Sequence, residues 1–156
     1  MLKLPTIVLL ATVVVAQDSP HQHGVETRGD QAMGFSQQMT THHFTLTNDG
    51  GIIEVEADNP NDKASRDAIR QHLDHIATLF SQGDFDLPMF IHAQTPPGVP
   101  AMKRLKEQIK YQTQPTAKGA EVKIATTNPE AVSAIHQFLR FQIQDHHTGD
   151  STKVGH

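Results

Sequence analysis

The chain has 156 residues, with 13 lysines and arginines against 17 aspartates and glutamates, a formal net charge of −4. That balance argues against a nucleic-acid partner, which needs a basic face to displace counterions from phosphates, and against electrostatic docking on an anionic membrane. With no cysteine, the chain has no disulfides, thiolate metal sites or cysteine nucleophiles.

The N-terminus reads as an export signal over residues 1–16. Lys3 supplies the positive charge, and Ile7 to Ala16 is an apolar run broken only by Thr12, ending in a small residue that a signal peptidase accepts. The run is short for a membrane span and no second one follows, so no integral membrane segment is expected after cleavage. The expected compartment is periplasmic or secreted. Removal of the signal leaves about 140 residues, enough for one domain with its own core.

Residues 17–40 are rich in Gln, Gly, Asp and Ser without a lasting apolar period, and read as a flexible N-terminal arm. A single α+β domain is expected over 41–148. His42, Phe44 and Leu46 alternate with His43, Thr45 and Thr47 as in a half-buried strand. Asn48-Asp49-Gly50-Gly51 is a hairpin turn, and Ile53, Val55 and Ala57 line the returning strand. Asn59 to Asp62 offers capping oxygens for a helix over 64–82, whose Ile69, Leu73, Ile76 and Phe80 form one apolar stripe ended by Gly83.

Phe85 to Pro100, with Pro88, Pro96, Pro97 and Pro100, reads as irregular but buried in part, and 101–108 as a short helix. A second hairpin is expected from Ile109–Thr113 and Glu121–Thr126. Asn128 then caps a second helix with Pro129 in its first turn; Ile135, Phe138, Leu139 and Gln142 are its inner stripe. Residues 149–156 read as a disordered tail. Ile53-Glu54-Val55 before Asn59-Pro60 is echoed by Val122-Lys123-Ile124 before Asn128-Pro129. The expected architecture is thus a four-stranded antiparallel sheet with two helices on one face, in a ββα–ββα arrangement open to an origin by duplication.

The chemistry rests on histidine. All 11 lie after the signal, and imidazole suits zinc, copper and haem iron as well as proton transfer. His72 and His75 are three apart on the first long helix, at the edge of its apolar stripe, and strand alternation turns His42 toward the same layer. A copper or zinc site from His42, His72 and His75 is therefore expected, with a haem held by the same histidines as a variant. His92, His136 and the pair His146-His147 are weaker candidates, the last well placed at a helix C-terminus for the dipole alone. His21-Gln22-His23 is a loose metal trap at most. Signatures of metalloprotease, nucleophile-elbow, phosphate-loop and dinucleotide chemistry are absent.

The segments Arg28-Gly29-Asp30, Ala32-Met33-Gly34-Phe35-Ser36, Thr40-Thr41-His42-His43-Phe44, Pro96-Pro97-Gly98-Val99-Pro100 and Phe138-Leu139-Arg140-Phe141-Gln142-Ile143 are similar to those of a group of small exported bacterial proteins. Some members of that group carry the name aspartate carbamoyltransferase. That enzyme family has two doubly wound domains and binds carbamoyl phosphate through a Ser-Thr-Arg-Thr motif and a His-Pro-x-Gln motif, neither of which occurs here. The resemblance implies export and a shared fold, and no mechanism.

Three functions follow as expectations: a periplasmic transition-metal protein; a metal-free small-ligand protein or enzyme using His42 or His72 in a pocket under the Pro96–Pro100 loop; or an interaction module without chemistry. An enzyme is the less favoured of these.

Overall fold

The structure is a computed structural model that describes residues 20–155. The expected signal peptide lies outside them. Helix α1 spans Pro20–Met33, and a single 3-10 turn at Gln37–Met39 leads into β1 (Thr40–Thr47). There follow β2 (Gly50–Ala57), α2 (Lys63–Ser81), α3 (Asp86–His92) and α4 (Val99–Arg104). After a second 3-10 turn, β3 (Lys110–Pro115), β4 (Gly119–Ala125) and α5 (Pro129–Asp145) complete the order.

The strands form one antiparallel sheet in the order β1-β2-β4-β3, the mixed α+β fold expected from the sequence. That order is symmetric about the central β2–β4 seam, as two ββα units set edge to edge require. Phe44 and Leu46 of β1, Ile53 and Val55 of β2, and Val122 and Ile124 of β4 are buried on the inner face. The alternate residues, among them His43, Glu54 and Lys123, stay on the open face.

Helices α2 and α5 cover the inner face. Ile69, Leu73, Ile76 and Phe80 of α2, and Ile135, Phe138, Leu139 and Gln142 of α5, are all buried, as their spacing predicts. Each helix starts on its cap: Asp62 Oδ1 accepts from Ser65 N, and Asn128 Oδ1 accepts from Glu130 N and Ala131 N. Helix α2 lies mainly over β3 and β4, and α5 over β1 and β2. The close approach of α5 explains Gly51, where a Cβ would stand 2.2 Å from Leu139 Cδ1.

Three segments differ from expectation. The arm expected as flexible over 17–40 is largely the docked helix α1: Val25 and Met33 are buried, Arg28 Nε donates to Ile91 O at 2.8 Å, and Gln37 Nε2 donates to Val25 O and Glu26 O. The piece expected to be irregular after Phe85 holds the helix α3. Pro88 is tolerated there because it sits in the first turn, where no backbone N–H has a helical partner. The tail expected as disordered lies along β1: Asp150 Oδ2 accepts from Phe44 N, Gly155 N donates to Leu46 O, and Arg140 Nε donates to Thr152 O. The first two bonds occupy β1 backbone groups that an edge strand otherwise leaves unpaired.

Candidate functional site

Between the sheet and the helices lies a cavity of about 60 Å³. Its walls are mostly apolar, with Phe44, Val55, Leu73, Ile76 and Phe138 among them, but four imidazoles and one amide also face it. Each arrives from a different place: His42 from β1, His72 from α2, His92 from the end of α3, Gln142 from the last turns of α5, and His146 from the residue capping α5.

The imidazoles form a connected set. His42 stacks on His146 with ring centroids 5.6 Å apart and planes 5° from parallel. Phe35 touches both His42, at 6.2 Å, and His72, edge-on at 5.6 Å. His92 meets His146 edge-on at 5.0 Å. Burial pushes the His42 imidazole down to about 4, helped by His43 beside it. Burial likewise lowers His72 to about 4, with His42 and His75 adding to the effect. His146 falls to about 3, through burial first and then through His42 and His92. All three are uncharged at pH 7.

His92 is only 1% exposed. Its Nδ1–H donates to Asp145 Oδ2 at 2.5 Å, and its Nε2 donates to Gln142 Oε1 at 2.9 Å. Asp145 Oδ1 accepts in turn from His21 Nε2 of α1 at 2.9 Å. Burial acts to raise the Asp145 carboxyl, but the hydrogen bonds from His92 and His21 outweigh it and hold the group below its ordinary range. Gln142 is 5% exposed, and its Nε2 has no hydrogen-bond partner among the described residues.

The expected metal triad is divided. His42 and His72 both reach the cavity, whereas His75 is exposed and lines an outer groove with Gly34, Gln71, His72 and Asp74. Among the described residues, no group of three or more His, Asp or Glu side chains is placed to hold a metal ion. A cavity of this size also has no room for a haem macrocycle. Two other histidines are engaged elsewhere: His43 Nδ1 with Asp150 Oδ1 at 3.1 Å, and His136 Nε2 donating to Thr47 O at 2.8 Å. Arg28-Gly29-Asp30 is helical, with Arg28 tied to Ile91 O and Asp30 Oδ1 accepting from Gln37 N.

Sequence reasoning gave His92 a minor part, assigned His146 to the dipole of α5, and passed over Asp145. One signal was present. Gln142 is a polar residue on an otherwise apolar stripe, three positions before Asp145 and four before His146, so all three cluster at one end of the same helix.

No known protein family, curated protein or solved structure matches this chain.

Proposed function

We propose that the chain is a metal-free small-ligand-binding protein whose ligand occupies the cavity between the sheet and helices α2, α3 and α5. The observation that carries this reading is Gln142 Nε2, a buried amide donor with no partner in the cavity wall. Leaving such a donor unpaired costs about 1–3 kcal/mol, which an occupant that accepts from it recovers. The reading is of binding rather than catalysis. His92, the wall imidazole with an orienting carboxylate, has both ring nitrogens engaged by Asp145 and Gln142 and offers neither to a ligand.

Xenon, which enters apolar cavities, tests the reading. Methyl NMR of the full chain under xenon is expected to shift Ile53, Val55, Leu73 and Ile76, which line the cavity, and to leave Ile52 on the open face unmoved. Unshifted cavity methyls would remove the proposal.

Copper or zinc binding is the second reading. It is favoured by His42 and His72, two of the expected ligands, which line one cavity with Met33 and which burial keeps unprotonated, the form that ligation requires. Export belongs to either reading. Lys3 followed by Ile7–Ala16 supports a periplasmic or secreted protein, and N-terminal sequencing of exported material is expected to begin near Gln17.

A further inference from the structure

The cavity wall holds no lysine, arginine, aspartate or glutamate. Its imidazoles His42, His72 and His146 are uncharged at neutral pH, and the charge on the Asp145 carboxylate is spent on His92 and His21. An ion entering this space would lose its hydration and meet no unpaired opposite charge, because a His92 that donates from both nitrogens already lies against the Asp145 carboxylate.

The polar chemistry that the wall does offer is directional. A carboxylate and a carbonyl oxygen can only accept, so His92 donates from both nitrogens, to Asp145 Oδ2 and to Gln142 Oε1. A donor backed by a carboxylate draws on the amide oxygen and polarises the amide, which strengthens its N–H groups as donors. Those N–H groups are the unpartnered ones. A ligand that completes this chain must present an acceptor. The apolar walls around it leave further hydroxyls without partners, which disfavours a polyol. The volume of about 60 Å³ exceeds what one water needs and is less than half of the ~150 Å³ that admits benzene.

We infer that the cavity takes an uncharged molecule of a few heavy atoms whose carbonyl oxygen accepts from Gln142 Nε2, its alkyl groups lying against Ile76, Phe80 and Phe138. This rests on the cavity-binding reading above and adds the chemical class of the ligand.

Acetone and acetate, close in size and shape but different in charge, are the probes. Titrated into the full chain at pH 7, acetone is expected to shift the methyls of Val55, Leu73 and Ile76 together with the side-chain amide protons of Gln142. Acetate at the same concentrations should leave them in place. Gln142→Met keeps the length of the side chain and removes the amide, and should weaken acetone at least about fivefold, the value of one neutral hydrogen bond, with xenon shifts retained. Acetone that moves the methyls without the Gln142 amide protons overturns the ligand class on the wild-type chain alone. So does acetate binding as well as acetone, or unchanged acetone affinity in Q142M. In each of those outcomes, xenon shifts leave the cavity reading standing. Loss of the xenon shifts in wild type removes both.

Discussion

His42 and His146 lie face to face, ring on ring at 5.6 Å, and so join the edge strand β1 to the residue that caps α5. Each ring borders the inner cavity on one side and an outer groove on the other, the groove being shared with Glu26, Gln37 and His147. The pair thus stands between groove and cavity, where burial favours both rings in the uncharged form.

Acid should therefore unfold the protein early. His42, His72 and His146 titrate at about 4, 4 and 3 in the fold but near 6.5 once unfolded, so the unfolded chain binds more protons across that interval. Stability present above pH 6.5 should fall on the order of 1 kcal/mol per pH unit for each imidazole as pH drops toward 4. Urea denaturation at pH 7.5, 6, 5 and 4.5 measures this, and His42→Phe should flatten the slope. Asp145 and Asp150, held below the ordinary carboxylate range, add a separate loss only at lower pH. A midpoint unchanged from pH 7.5 to 4.5 would contradict the burial of the three rings.

Phe80 and Phe138 meet edge-on at 5.9 Å in the core. Each substitution to Ala is expected to cost about 3–5 kcal/mol. Because the rings touch, the double variant should cost less than the sum of the two. Both also line the cavity, so Phe138→Ala should enlarge it enough to take benzene, read as a benzene-dependent rise in Tm.

The tail along β1 supports a third prediction. Asp150→Ala removes the acceptor of Phe44 N and the partner of Thr148 Oγ1, and should cost about 1–3 kcal/mol. Deleting residues 150–156 should also bare the β1 edge, and light scattering is expected to detect self-association that the full chain lacks.

Metal binding is tested by thermal melts with equimolar copper or zinc on wild type, His72→Ala and His75→Ala. If the helix pair is the site, both variants lose most of the metal-induced rise in Tm. An equal rise in all three would place the metal elsewhere. A rise lost in His72→Ala but kept in His75→Ala would assign it to the cavity.

The hairpins and the two long helices could be read from local pattern because each buries one regular face: alternation for Phe44, Leu46, Ile53 and Val55, and a stripe for Ile69 to Phe80. Helix α1 could not. Gly24 and Gly29 weaken it, it has no strong apolar stripe, and bonds from Arg28 to Ile91 O and from Gln37 to Val25 O tie it to the rest. Pro88 hid α3 in the same way. The site was half legible. Strand phase turned His42 inward correctly and helix phase put Gln142 in the core, but the bond from His92 to Asp145 joins residues 53 positions apart, and no local spacing encodes it.

The exchange of helices between the halves has a consequence for how the chain folds. Helix α2 follows the first hairpin yet roofs the second, and α5 follows the second yet roofs the first. Neither ββα unit can cover its own sheet, so half a chain has nowhere to put Ile69 and Leu73, or Ile135 and Leu139. Folding must then await closure of the long connection through α3 and α4, a slow, non-local step. Once that step is made, the two halves should melt as one cooperative unit, and a chain severed in the Pro96–Pro97 segment should regain structure only when both fragments are present together.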